Sequence, residues 1–227
     1  YSPLGDEYNN PQRGVTNTYQ VSDQMTWSRG KSTYKFGGEF RRLQQNAFRD
    51  VQSRGLINFI GFTGNPLVEL LTGMPAFSAG ARLNNPQHLR MNSFNLFAQS
   101  THRVTPNLTL TAGLRWEYNT VPTDLNPAFR PNFQPDRNNF GPRVGFAYSA
   151  GTHGTVIRGG YGVYFDQSSL APSEGTYFNY PYFDLRYYFF SAELPLTLAN
   201  PFPANYPIPT PPSGNVVDPN IRTPYIQ

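Results

Sequence analysis

The 227-residue chain has no cysteine, only three methionines and two tryptophans, and just 14% charged residues. Without thiols, disulfides and cysteine-ligated metals are excluded, and thiol usage says nothing about the compartment. No apolar run approaches the ~20 residues a membrane helix needs, and mean hydropathy is −0.52. This leaves a membrane β-barrel open, because barrels spread their apolar band over alternate positions. The charged fraction lies well below the ~25% of typical soluble domains. A net charge of +4 is mildly basic, but Arg and Lys are scattered and no block resembles a nucleic-acid arm, so no nucleic-acid partner is expected. The chain begins at Tyr1 without an initiator Met, a basic n-region or an apolar h-region. It stops within Thr223–Gln227, where an extended segment is expected to begin. An interior piece of a longer protein is the expectation.

Aromatic residues are abundant: 18 Phe, 15 Tyr and 2 Trp. With so little charge, they argue against disorder for most of the chain. Twenty Gly and 22 Pro mark many turns and argue against long helices.

Leu108 to Tyr118 carries the clearest pattern. Its even positions read Leu108, Leu110, Ala112, Leu114, Trp116 and Tyr118; its odd ones read Thr109, Thr111, Gly113, Arg115 and Glu117. Successive side chains of a strand point to opposite faces, so one face is apolar and the other polar. The length matches the ~9–11 residues that cross a bilayer as a tilted strand, whereas most soluble strands stop after ~5–6. The alternation recurs over Thr18–Ser28, Ser32–Arg42, Met91–Val104, Arg143–Ser149 and Thr155–Phe165. Asp23 sits on the apolar side of the first of these, which predicts a bulge or an early strand end there.

The connections alternate strictly. Tight turns are expected at Arg29–Lys31, Thr105–Asn107 and Gly151–Gly154. Long connections cover Leu43–Arg90, Asn119–Asn139 and Asp166–Arg222. Outer-membrane barrels have short periplasmic turns and long extracellular loops, and a soluble sandwich has no reason to keep one end short. Within the long connections, Gly55–Phe62 suggests a further strand or a strand extension. Asn65 as N-cap, Pro66 at the first position and Gly73 as the stop predict a short helix. Asn119–Asn139 is expected to be irregular and Asp184–Phe190 to pack as loop, with the Pro-rich Asn200–Pro212 poorly ordered in isolation. The fold class expected is all-β: an antiparallel up-and-down transmembrane β-barrel fragment of about six to eight strands.

Several of these segments resemble motifs of Oar-like TonB-dependent outer-membrane transporters. The hairpin from Thr26 to Arg41, with Lys35, Phe36, Gly37, Gly38 and Glu39, is similar to one of that family. So are the strand Leu108–Tyr118, the hairpin from Asn139–Ala147 to Val156–Phe165, and the start of a next strand at Thr223–Gln227. Leu67–Gly73 occupies the place of a further family motif, with Val68 and Glu69 departing from the usual pair. The motifs span nearly the whole chain in family order. The resemblance implies a barrel of about 22 strands, of which this chain holds roughly a third at most. It also implies a plug inside the barrel and a periplasmic TonB complex as energy source, both reached through the full-length protein. On this view residues 1–227 are a partial barrel domain, with the plug and N-terminal regions elsewhere. Its partners are outer-membrane lipid, the protein's own plug, the TonB complex and an unidentified small solute, a scarce nutrient of siderophore, oligosaccharide or peptide class.

No enzymatic constellation is visible, and no cofactor is expected. His88, His102 and His153 lack metal-ligand spacing. The Gly159–Gly162 stretch lies inside a strand and lacks the helix that a phosphate cradle needs. The lumen-facing charges Lys35, Glu39, Arg41, Arg115, Glu117, Arg143 and Arg158 are candidate plug or solute contacts. A barrel interior is wet, however, and charges there need no further role. The loop aromatics Tyr177, Phe178, Tyr180, Tyr182 and Phe183 are candidate ligand contacts, with interface anchoring or loop packing as the alternatives. A surface β-sandwich adhesin or glycan-binding module is the competing class; it requires the apolar faces to pack on a second sheet. A secreted β-rich hydrolase ranks behind both.

Overall fold

The computed structural model describes residues 4–83, 86–126, 133–151, 154–166, 170–180, 182–205 and 214–227. In chain order its elements are β1 (Arg13–Arg29), β2 (Ser32–Phe48), β3 (Leu56–Asn58), α1 (Pro66–Thr72), β4 (Phe77–Leu83), β5 (Gln87–Thr105), β6 (Leu108–Asn119) and β7 (Thr123–Asp124). There follow β8 (Asn139–Ala150), β9 (Thr155–Gly162), β10 (Tyr164–Phe165), α2 (Leu170–Gly175), a 3₁₀ turn at Thr176–Phe178, β11 (Phe183–Phe189) and β12 (Tyr225–Ile226). The larger sheet runs β1-β2-β5-β6-β8-β9, with β7 also on β5. Two smaller sheets have the orders β11-β4-β3 and β10-β12.

The described chain groups into two compact units. One comprises Tyr1–Val15, Asn46–Gln87 and Glu174–Val216; the other comprises Thr16–Gln45, His88–Ser173 and Val217–Gln227. The second unit carries the larger sheet, and its hairpins follow from turn chemistry. Gly30 and Lys31 join β1 to β2, and Gly30 has φ 59°, a conformation without penalty only for glycine. Pro106 and Asn107 join β5 to β6, where the Thr105 hydroxyl accepts the Leu108 N–H at 3.0 Å. The third turn, between β8 and β9, has Gly151 and Gly154 at φ 70° and 75°. Its two middle positions, His153 among them, lie outside the described residues.

Register carries the alternation across the sheet. Leu96 pairs with Trp116 and Phe94 with Tyr118 between β5 and β6. Between β6 and β8, Leu110 pairs with Phe146, Ala112 with Val144 and Trp116 with Phe140. Val144 then meets Tyr161, and Tyr148 meets Ile157, on β9. At these positions apolar pairs with apolar, and a one-residue slip would break every such pair; toward the tight turn, β5 instead sets Ser100 opposite Ala112 and His102 opposite Leu110. That face is open: Leu110 is 43% exposed, Leu114 48%, Leu96 56% and Val144 56%. A sandwich would have buried it.

In the larger sheet β1, β2, β5, β6 and β8 extend beyond their expected bounds, β5 reaching 19 residues, while β9 falls short and β3 of the small sheet covers only part of Gly55–Phe62. Asp23 does not end β1, which runs unbroken from Arg13 to Arg29. The carboxylate accepts the N–H of Gln24 at 2.9 Å, so the acid finds a partner locally. β9 stops at Gly162, and Val163 donates its N–H to the Pro142 carbonyl at 3.0 Å. β10 then takes up β12, with Tyr164 opposite Ile226 and Phe165 opposite Tyr225. The segment Thr223–Gln227 thus begins a strand, as expected.

The first unit holds β3, β4, β11 and α1. The helix forms where the sequence places it: the Asn65 side chain accepts the Leu67 N–H, Pro66 starts it, and Gly73 closes it at φ 73°. The expectation of loop packing at Asp184–Phe190 is corrected. Phe183–Phe189 is a strand paired residue for residue with β4, from Phe183 opposite Leu83 to Phe189 opposite Phe77. Its alternation is masked because Tyr188, on the face of Asp184 and Arg186, is aromatic yet buried, edge-on to Phe202 at 5.8 Å. Part of the Pro-rich segment Asn200–Pro212 lies outside the described residues. The small core here includes Ala47, Ala76, Ala79, Tyr177, Tyr188 and Leu196.

The outward direction of the apolar face has a direct test. Leu114→Arg places a charge near the middle of that face and is expected to cost about 2–4 kcal/mol in lipid. Thr111→Arg, on the other face, is expected to be tolerated. Equilibrium urea unfolding of the protein folded into vesicles measures both; equal costs would mean that the faces are assigned wrongly.

Candidate functional site

The polar face of the larger sheet collects the charges. In β2, Lys35, Gly37, Glu39 and Arg41 alternate with Tyr34, Phe36 and Phe40. Glu39 is a hub: its carboxylate accepts from Gln20 Nε2 at 2.7 Å, Arg41 Nη2 at 2.8 Å and Asn95 Nδ2 at 3.1 Å. Three strands thereby converge on one side chain. Across the ladder, Arg115 donates to Glu117 two residues along the same face of β6. Both ion pairs are partly exposed, with the glutamates at 21% and 13% side-chain exposure. Water screens such pairs, and each adds only about 0.2–1 kcal/mol. Their effect is chiefly to fix where the guanidinium groups point.

Ser22, Asp23, Gln24, Gly38, Glu39, Asn95, Phe97 and Arg115 line an open hollow of about 260 Å³ on this unit. Gly37 makes the hollow possible. A Cβ at that position would lie 2.5 Å from the Asp23 carbonyl oxygen and 2.9 Å from the Phe97 ring. The glycine leaves room for the Asp23 carbonyl of β1 and for the ring of Phe97, the one aromatic on its face of β5.

The seven sequence-derived charges therefore separate. Glu39, Arg41, Arg115 and Glu117 belong to the hollow and its supporting pairs. Arg143 stands apart, its guanidinium carbon 4.5 Å from the centroid of the Tyr164 ring, a cation–π contact. Lys35 and Arg158 are exposed and form no ion pair among the described residues. Sequence reasoning passed over Gln20, Asn95, Phe97 and Tyr164. Parity was the available signal for Tyr164, which lies two residues beyond Gly162 on the inward face.

The loop aromatics do not form one surface. Tyr177 is buried at 1% exposure within its unit. Phe178 packs edge-on to Phe183 at 5.2 Å. Tyr182 is half-buried, and only Tyr180, at 63%, is fully presented. A large ring followed by a short Asn179 turn buries itself: the Asn179 carbonyl accepts both the Tyr182 and Phe183 N–H groups at 3.0 Å.

Glu69 is a titratable group shifted by its surroundings. It lies on α1 at 1% exposure. Burial by itself raises its pKa, but backbone N–H groups of Thr63, Gly61 and Phe62 and the Thr63 hydroxyl outweigh burial and hold it below the usual 4.5. The Thr63 and Gly61 bonds are 2.8 and 2.9 Å long. One carboxylate thus fixes the turn before its own helix.

An antiparallel sheet with tight turns at one end, an exposed apolar face and a charged inner face defines an outer-membrane barrel protein. A family model described as an outer membrane beta barrel domain matches residues 1–227, and the chain belongs to this family. Its location is the bacterial outer membrane. Searches of curated proteins and of solved structures returned no match.

The Glu69 contacts carry a pH signature. Because its folded pKa is lowered, its stabilisation is fully present above the unfolded value near 4.5 and is lost as pH falls through the folded value. Amide exchange at Gly61 and Thr63 is expected to quicken at neutral pH in Glu69→Gln. In the wild type the same amides should lose protection only at acid pH. Identical protection of both proteins at neutral pH would remove the role given to this carboxylate.

Proposed function

We propose that this chain is part of the barrel of an Oar-like TonB-dependent transporter that takes up a scarce nutrient. Its inward charges meet a plug carried by the same full-length protein. The observation that carries the reading is the arrangement around Glu39: three strands direct polar side chains into a hollow on the inward face. Five of the seven inward charges are cationic, which suits acidic or amide-rich plug surface or an anionic solute. The strands that hold the resembling motifs support it: Lys35–Arg41 in β2, Leu108–Tyr118 in β6, and Asn139–Ala147 in β8.

Sheet topology supports a barrel larger than this chain. Among the described residues β1 and β9 stand at opposite ends of the strand order. Open sheet edges do not persist in hydrocarbon, because nothing there satisfies their N–H and C=O groups. Further strands, beginning with the one that starts at β12, would complete the closure. The reading involves no chemical step: solute passage would be driven by the TonB complex acting on the plug, without a cofactor.

A photo-crosslinker in place of Lys35 in the full-length protein tests it. Crosslinks to the protein's own plug, altered when the TonB complex is removed from the cell, are the expected result. Crosslinks to lipid alone, or none that responds to TonB, would overturn the reading.

A further inference from the structure

The outward face changes character at one level of the sheet. On β2 the outward positions read Tyr34, Phe36, Gly38 and Phe40, then Arg42 and Gln44. On β5, followed toward the same end, they read Ala98, Leu96 and Phe94, then Asn92, Arg90 and His88. The switch occurs at the same height on both strands: the rings of Phe40 and Phe94 lie 5.2 Å apart, and Arg42 Nη1 donates to Asn92 Oδ1 at 3.3 Å. The aromatic row continues across β6, where Phe94 stacks on Tyr118 at 6.1 Å and Tyr118 on Trp116 at 5.9 Å.

A second cation joins from the connection before β8. Trp116 Nε1 donates to the Arg137 carbonyl at 2.8 Å, and the Arg137 guanidinium carbon lies 5.7 Å from the Tyr118 ring centroid. Arg42 and Arg137 are both exposed. The nearby acids are turned elsewhere: Asp136 takes Arg222 Nη1 at 3.4 Å and the Thr223 N–H at 2.9 Å, and Asp124 takes the His88 N–H at 2.6 Å. Arg90 is directed to the backbone carbonyls of Gln45 and Leu89.

From Leu108 to Tyr118 the apolar face of β6 measures about 34 Å along the strand, which a tilt of ~40° reduces to the ~25 Å band of a barrel. The row of rings therefore marks the edge of the hydrocarbon at the long-loop end. Two guanidinium groups just past that edge, on the lipid side, sit at the depth of lipid phosphates.

We propose that Arg42 and Arg137, above the Phe40–Phe94–Tyr118–Trp116 row, form a binding site for a phosphorylated lipid head group of the adjoining leaflet. The acyl chains lie along Leu96, Leu114 and Phe140, and the phosphates meet the guanidinium groups. This site is on the face opposite the inward charges and does not depend on the transport reading.

The test uses the full-length protein in zwitterionic detergent, titrated with a diphosphorylated lipid A and with the same lipid stripped of its phosphates, and read by native mass spectrometry. The phosphorylated lipid should bind more tightly. R42Q/R137Q should weaken it by about thirtyfold, at ~1 kcal/mol per arginine, while R42K/R137K retains most of the affinity. Arg137 lies outside any strand, so R137Q alone, which leaves the sheet intact, should give about fivefold. Equal affinity for the stripped lipid, no loss in R137Q, or displacement by millimolar inorganic phosphate would each overturn the proposal, the last by revealing a free-anion site.

Discussion

Hydrocarbon offers backbone N–H and C=O groups no partner, and the larger sheet is organised around that constraint. Each strand must be zipped to a neighbour along the whole of its immersed length. The ladders β5–β6, β6–β8 and β8–β9 meet it with continuous registers, the one irregularity lying beside the turn, between Arg103 and Thr105. Once the ladders are fixed, side-chain parity follows, and with it the separation of a lipid face from an inward face. The inward ion pairs are a consequence of this separation and contribute little to holding it.

The same constraint explains how much could be read from the sequence. A strand with lipid on one side and water on the other must alternate, so β6 is legible residue by residue, and the tight turns are legible from Gly30, Pro106 and Gly151. Helix α1 was legible because its caps are local: Asn65, Pro66 and Gly73 act within nine residues. The sheet β11-β4-β3 was legible only at β3, within Gly55–Phe62. β11 pairs with β4 across about a hundred residues of chain, and the buried Ser78 and Tyr188 blur the two-residue period. Nothing local in Phe183–Phe189 specifies a partner at Phe77–Leu83.

The candidate site was legible in outline only. Parity put Glu39, Arg41, Arg115 and Glu117 on one face, but pairing within that face depends on register between strands far apart in sequence. Gln20 and Asn95 reach Glu39 because β1, β2 and β5 are neighbours, which no single segment reveals. Exposure within the aromatic cluster was not legible either: Tyr177 is buried and Tyr180 exposed, although the sequence gives the two rings the same standing.

Glycine in these strands is best understood through the neighbour it admits. Beside Phe146 on the lipid face, a Cβ at Gly159 would lie 2.6 Å from the ring. At Gly141 it would lie 2.5 Å from the Val163 carbonyl oxygen, where β9 gives way to β10. A glycine in a strand weakens it locally, so its presence opposite a ring or a crossing carbonyl indicates that the close approach returns more than the entropy lost. Rings laid over bare backbone cover ladder hydrogen bonds from lipid and water alike, and they let the sheet curve without a gap. Gly37 beneath Phe97 does for the inward hollow what Gly159 does for the lipid face. Bare backbone at Gly37 therefore leaves space for Asp23 and Phe97, and both line the hollow beside the charged Glu39 and Arg115.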